Sequence, residues 1–475
     1  MEREQIDRIQ AWMEEHRAAM EADIMRLVHI PSVSEPGQGE GPFGAACRDA
    51  LHEMLKIGSE HGFFTRNYDD YCGSMWLDAR AENVEDCVGF WGHLDVVPVG
   101  EGWIFQPFEP FIRDGLLFGR GSQDNKGPTI ATMYIMECLH TLGIPTRYPL
   151  RMFFGCDEER GMRDLEYYAS RFPCPKLSII ADSGFPVCYG EKGIIEADLE
   201  AGHPFSQEVV FFSGGTASNM VPASATIRLL EREGREEALR AVPGLTVERE
   251  KGTLAVSAQG LARHSAFPEG GSSAVCTLVR GVLAAEVLPE EDEEILLFFC
   301  RACLGWYGRG LGITAQDELS GRLTCVGSVC GIGENGNPFL HVNIRYPITA
   351  DSDALLQAAR DTCAAHGFTF HLRRSSAPNN FPRTHPAVDA LTAVYNEMAG
   401  DHAEPFVMGG GTYARKLPRA FAFGMGLPGD SVHHELLPPG HGGAHEPDEV
   451  LKLESLWKAA NIFAASLLAL NDLDF

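Results

Sequence analysis

Three short, largely apolar runs in the first 185 residues each stop on residues able to hold a cation. Val88-Gly89-Phe90-Trp91-Gly92 runs into His93 and Asp95, Leu150-Arg151-Met152-Phe153-Phe154 into Asp157-Glu158-Glu159, and Leu177-Ser178-Ile179-Ile180-Ala181 into Asp182. Continuous runs of this length read as strands buried on both faces, as in a parallel sheet covered by helices. Helical patterns separate them, over 128–142 with Pro128 in the first turn and over 161–171. Alternating strand and helix predicts an α/β fold with a largely parallel central sheet and helices on both faces. Open sheets of that kind place their sites beyond the carboxyl ends of the strands, which is where these acids and the histidine fall.

The rest of the chain frames that layer. Residues 3–28 and 43–61 read as helices, the first broken by Ile30-Pro31 and the second ended by Gly62. From about 186 to 384 the pattern changes to half-exposed strands, at 194–200, 207–213, 225–231, 253–259 and 340–346. After Pro386 come a helix, a glycine turn at 409–411, a strand at 420–423 and a terminal amphipathic helix from 447 to about 470, with Pro447 in its first turn. The expected organisation is a discontinuous α/β domain, 1–185 plus 385–475, with an α+β domain inserted over 186–384.

At 475 residues, two domains are the natural expectation. A net charge of −27 argues against nucleic acid or an anionic membrane as partner. No apolar run reads as the roughly 20 residues of a spanning helix, and the polar start Met1-Glu2-Arg3-Glu4-Gln5 has no apolar signal region, so a cytoplasmic protein is expected. Thirteen scattered cysteines suit free thiols in a reducing compartment. The lone Cys300-x-x-Cys303 follows the apolar Ile295–Phe299 and is read as buried and structural.

The acids and histidines fit a two-cation site. His93 is read as a ligand whose second ring N–H is accepted by Asp95. Asp124, in Gly119-Arg120-Gly121-Ser122-Gln123-Asp124-Asn125-Lys126-Gly127, has two oxygens and suits a bridge between cations; a turn with an Asx cap is the other reading. Of Glu158 and Glu159, one suits a metal and the other proton transfer, unless both sit in a solvated loop. Asp182 either enters the site or exits to solvent. Of His433, His434, His441 and His445, the last has the best context, between a glycine turn and Pro447.

Taken together, these segments and Ile30-Pro31-Ser32-Val33-Ser34 resemble the dinuclear zinc metallopeptidase superfamily of aminoacylases, glutamate-releasing carboxypeptidases and dipeptidases, from about residue 24 to the end. The resemblance implies that His93 and Asp182 hold one metal, Glu159 and His445 the other, and Asp124 bridges them. It implies Glu158 as general base and then acid, Asp95 as the residue orienting His93, and a cis peptide after Asp124. Within the superfamily the likeness is to the bacterial V-type, carnosinase-like dipeptidases, because of the long insert and Gly409-Gly410-Gly411-Thr412-Tyr413. That likeness makes the insert a lid, with His264 on the oxyanion, Asn219 assisting, and Arg345 with Gly410, Gly411 and Thr412 receiving the substrate carboxylate. It implies a monomeric dipeptidase with two Zn2+, or Mn2+ or Co2+, per chain. The alternatives are an N-acyl-amino-acid deacylase or carboxypeptidase of the same superfamily, or a non-catalytic metal-binding scaffold. Gln123 and Asn125 depart from residues common in relatives.

Overall fold

The computed structural model describes residues 3–37, 39–429 and 437–475, so His433 and His434 lie outside the described residues. The chain forms two compact units, one of residues 1–189, 380–406 and 411–475, the other of 190–379 and 407–410. The stretch 407–410 thus belongs with the inserted unit, and the 409–411 glycine turn is shared.

The first unit is a mixed α/β layer. Its central strands are Val88–His93, Leu150–Gly155, Leu177–Ile180 and Ala420–Phe423. They pair in parallel, with Trp91 opposite both Phe153 and Ile180, and Phe421 opposite Ile179. The flanks are antiparallel: the hairpin Phe64–Tyr68 and Cys72–Trp76 adds beside Leu150–Gly155, and Val187–Glu191 beside Ala420–Phe423. The sheet is therefore parallel at its centre and antiparallel at its sides. Every residue of Val88–His93 is buried, which is why that run carries no polar alternation. Successive residues point to opposite faces. Phe90 meets Phe463 of the helix Leu453–Ala469 at 5.7 Å, and Trp91 meets Tyr168 of the helix Arg163–Ala169 at 5.3 Å. Helices accordingly cover both faces.

Both terminal helices differ from the sequence expectation. The N-terminal helix is two, Arg3–Glu15 and Arg17–Val28. The terminal helix starts at Leu453, not 447, because Val450–Lys452 is a strand paired with Leu116–Phe118. Asp448 and Glu449 are buried acceptors for loop N–H groups, which holds that stretch extended. Leu453–Asp472, with a mean hydropathy of 1.2, is also long and apolar enough to cross a membrane by length and composition. Its apolarity is explained by burial: Phe463 lies in the core against Phe90 and Phe423.

The second unit is an eight-stranded sheet whose order begins Thr246–Glu250, Thr253–Gln259, Ser224–Leu230, Val209–Gly214, and continues Thr324–Ile332, Pro338–Tyr346, Gly193–Ala201, Phe368–Ser376. Its neighbours are antiparallel. Gly193–Ala201 and Thr253–Gln259 alternate buried and partly exposed residues, as one covered face requires. Helices Ala274–Ala284 and Glu290–Ala302 contribute Leu278, Val282, Phe298 and Phe299 to the core on that face.

Candidate metal centre

The parallel strands deliver the first ligand candidates. His93 ends Val88–His93, Glu158 and Glu159 follow Leu150–Gly155, and Asp182 follows Leu177–Ile180. Asp124 lies in the turn Ser122–Lys126 just before the helix Gly127–Thr141, and its peptide bond to Asn125 is cis. His445 sits in the loop preceding Val450–Lys452 with a left-handed backbone, φ 66°. That conformation costs a side chain-bearing residue on the order of 1–3 kcal/mol and survives where the surroundings demand it.

These residues converge. Asp124 faces one histidine with each oxygen: Oδ1 lies 3.0 Å from His93 Nε2 and Oδ2 lies 3.1 Å from His445 Nε2. His93 Nε2 is 3.7 Å from Asp182 Oδ2, and His445 Nε2 is 3.0 Å from Glu159 Oε1. Ligand atoms of one group, His93, Asp124 and Glu159, and of another, His93, Glu158 and Asp182, lie within 4.8 Å of one another. Two ligands about 2.0–2.1 Å from a tetrahedral zinc stand roughly 3.3–3.5 Å apart, so these separations match residues sharing cations.

Charge points the same way. Asp95, Asp124, Glu158, Glu159 and Asp182 crowd two imidazoles. Burial and the Asp124 carboxylate push Asp182 up to about 7. Burial, reinforced by Asp182 and Glu159 against the pull of His93, raises Glu158 well above the carboxylate range. Burial opposes charge on His445, but Asp124 and Glu159 outweigh it and raise the imidazole to about 11. Buried acids that hold protons against their nature are groups short of positive charge. Glu158 Oε1 is likewise buried, with no hydrogen-bond partner among the described residues. The donor set of carboxylates and imidazoles suits zinc, manganese or cobalt.

The surrounding shell corrects one reading and adds several residues. His93 Nδ1 lies 2.9 Å from the Asp95 backbone carbonyl oxygen and 3.5 Å from its carboxylate. The carbonyl therefore sets the tautomer, leaving Nε2 to face the acids. The Asp95 carboxylate instead accepts the backbone N–H groups of Glu158 and Glu159, each at 3.1 Å, and so fixes the acidic turn. Asp157, the third acid there, pairs with Arg163 at 2.7 Å and accepts the Ser34 hydroxyl at 2.5 Å. Asp164 accepts the N–H groups of Cys156 and Asp157 and the Tyr413 hydroxyl. Glu449, wholly buried, accepts the N–H groups of Gly121, Gln123 and Asp124 and holds the bridging turn. Lys126 Nζ donates to the carbonyl oxygens of Leu27 and Ile30, and burial lowers it to about 8. The sequence signal for these was faint: single polar residues beside stronger motifs. His441 anchors the last loop, with Nδ1 2.6 Å from Asp448 Oδ2.

In the second unit, the backbone N–H of Ser265 donates to the Asn219 carbonyl oxygen at 2.8 Å, which joins Asn219 to the His264 loop. The N–H of Ala266 donates to His264 Nδ1 at 3.2 Å, so Nε2 carries the proton. Arg345 is buried. Its Nε donates to Asn343 Oδ1 at 2.8 Å, the atom that also accepts the Ser265 hydroxyl, and its Nη1 reaches the Gly409 carbonyl oxygen at 3.3 Å. A Cβ on Gly409 would meet that of Ala266 at 2.5 Å, so only glycine lets the turn close on the His264 loop. Thr412 caps the turn Tyr413–Lys416 by accepting the Ala414 N–H at 3.1 Å, and Arg415 packs on Gly411.

The sequence model of Peptidase family M20/M25/M40 matches residues 89–469. The chain belongs to that family. Membership makes it a metallopeptidase by class, and the cluster above is where a metal fits. The "Putative dipeptidase YtjP" of Bacillus subtilis (strain 168) is 31% identical over 466 residues, covering 94% of this chain and 95% of its own. Two solved structures share the fold. The dipeptidase Dug1p of Saccharomyces cerevisiae has a TM-score of 0.60 at 15% identity, over 99% of each chain. Human carnosine dipeptidase 1 has a TM-score of 0.59 at 14% identity, over 98% of this chain and 99% of its own.

Proposed function

We propose that this M20/M25/M40 peptidase is a cytoplasmic, monomeric dipeptidase holding two zinc ions per chain. His93 and Asp182 would hold one, Glu159 and His445 the other, and Asp124 would serve both. The observation that carries this reading is Asp124 itself, whose two oxygens each face a different histidine. When bound, the ions supply a water acidified towards pKa about 7 and polarise the scissile carbonyl.

The chain's own residues do the rest. Glu158 takes the proton of the attacking water and hands it to the leaving amine; its buried carboxyl, whose Oε1 has no hydrogen-bond partner among the described residues and whose proton affinity is raised, suits a group that must accept a proton and release it. Asp95 keeps Glu158 and Glu159 in place through their backbones. In the second unit, which we assign as the lid, His264 offers Nε2–H to the developing oxyanion, with Asn219 beside it. Arg345, with the 410–412 segment, receives the substrate's free carboxylate; the guanidinium fork is suited to two-point binding. Capture of that carboxylate would limit the chain after the scissile bond to one residue, as a dipeptide requires. The cytoplasmic assignment rests on thirteen free cysteines, most of them buried.

The test is a substrate panel: free dipeptides, the same dipeptides as C-terminal amides, tripeptides and N-acetyl amino acids. Free dipeptides are expected to be cleaved on the order of 100-fold or more faster than their amides, which leave the buried Arg345 without a carboxylate, and faster than tripeptides and N-acetyl amino acids. Equal rates on acid and amide reject carboxylate capture. Preference for N-acetyl amino acids or longer peptides replaces this reading with a deacylase or carboxypeptidase.

A further inference from the structure

Asp182 has two carboxylate oxygens, and its surroundings use them differently. Oδ2 lies 3.7 Å from His93 Nε2, on the side of the cation site. Oδ1 accepts a hydrogen bond from Asn125 Nδ2 at 2.9 Å. The orientation of that amide is fixed at both ends. Nδ2 also donates to the Ala181 carbonyl oxygen at 2.8 Å, while Oδ1 accepts the Thr129 hydroxyl at 2.9 Å and faces the His93 N–H at 3.4 Å. A carbonyl only accepts and a peptide N–H only donates, so a flipped amide loses at each end. The pocket is tight: a Cβ on Gly92 would lie 2.9 Å from Asn125 Oδ1 and 2.3 Å from Thr129 Oγ1. An ionised aspartate at 125 could not donate to Asp182 at all.

We propose that Asn125 is a positioning residue that restricts Asp182 to one-oxygen ligation and so biases the His93 side of the centre towards four-coordinate zinc over cations that gather more oxygen ligands. The proposal rests on the two-cation reading above and names which metal that site selects. Zinc is satisfied by four ligands, whereas manganese and magnesium favour six, largely oxygen. A carboxylate bound through both oxygens adds a ligand and favours the second group. Holding Oδ1 on an amide disfavours that option, and the same hydrogen bond orients the remaining oxygen, a role whose loss costs about 10- to 100-fold in metal affinity in comparable sites.

The experiment strips the full chain of metal and titrates it separately with Zn2+ and Mn2+, then in competition, for the wild type, Asn125→Ala and Thr129→Val. Asn125→Ala is expected to weaken Zn2+ at one of two sites by about 10- to 100-fold, to leave the other within about threefold, and to lower the zinc-over-manganese preference at the affected site. Thr129→Val keeps the amide but removes the hydroxyl that holds its far end, and is expected to give a smaller shift at the same site; it decides the matter if Asn125→Ala does not fold. Variants that match the wild type, or that lose both sites equally, overturn the role of Asn125 while leaving the two-cation reading intact. A wild type that binds fewer than two ions overturns both.

Discussion

Glu449 offers a sharp test of how the bridging turn is held. Four donors converge on its two oxygens: Gln123 N–H at 2.9 Å and Asp124 N–H at 3.1 Å on Oε1, Gly121 N–H at 3.0 Å and the Arg120 guanidinium at 2.8 Å on Oε2. Glu449→Gln keeps the shape but places an NH2 group against two of those donors, whichever way the amide turns. It also strips a buried guanidinium of its counter-charge. Breaking one side of a buried ion pair costs about 3–5 kcal/mol, and each unsatisfied buried N–H about 1–3 kcal/mol. The losses overlap, and Arg120 keeps weak contacts to the Val99 and His445 carbonyl oxygens at 3.4 Å and to the Trp103 ring at 5.1 Å. The expected net cost is therefore about 3–5 kcal/mol, roughly two to four orders of magnitude in the opening equilibrium. Denaturant unfolding of the metal-free protein, followed by a probe in the first unit, measures it. An Arg120→Met/Glu449→Gln double-mutant cycle isolates the pair. A Glu449→Gln protein within about 0.5 kcal/mol of wild type refutes the reasoning, since ordinary surface changes fall in that range.

Other expectations follow from the same geometry. Glu158→Gln should lower kcat by about 10²- to 10⁴-fold with metal content unchanged, and an unaltered kcat removes it as the base. His264→Ala should lower kcat by about 10²- to 10³-fold without loss of metal; wild-type turnover counts against its place on the oxyanion. His61, between Asp23 at 3.0 Å and Glu137 at 2.8 Å, is raised to about 9 by those carboxylates against the opposing effect of burial. Its folded value lies above the ordinary 6.5, so its stabilisation is complete below pH 6.5 and lost as pH rises through about 9. Urea midpoints measured from pH 6 to 10 should show that decline in the wild type and a flatter curve in His61→Gln; parallel curves contradict it.

The sequence was most legible where one residue type served one purpose. Val88–His93, Leu150–Gly155 and Leu177–Ile180 are buried on both faces, so their apolar runs marked them as central strands and their ends as the site. Gly193–Ala201 and Thr253–Gln259 were readable because one covered face imposes alternation. Val450–Lys452 was not, since Asp448 and Glu449 spend their charge on distant backbone groups and a local pattern cannot show a partner more than 300 positions away. The edge hairpin 64–76 carries too little apolar periodicity to stand out. His93 illustrates the same limit at the site: a side chain two positions on was the natural acceptor, but the folded chain presents that residue's carbonyl and turns its carboxylate to Glu158 and Glu159. Asn125, Glu449 and Asn343 act by hydrogen-bond direction, which depends on neighbours that only the fold supplies.

The central claim is that Asp124 joins two cations. Elemental analysis of the chain purified without added metal, for wild type and Asp124→Ala, tests it most directly. The account predicts two ions per wild-type chain and near-complete loss of both in the variant. A wild type with one ion or none, or a variant that keeps two, contradicts it.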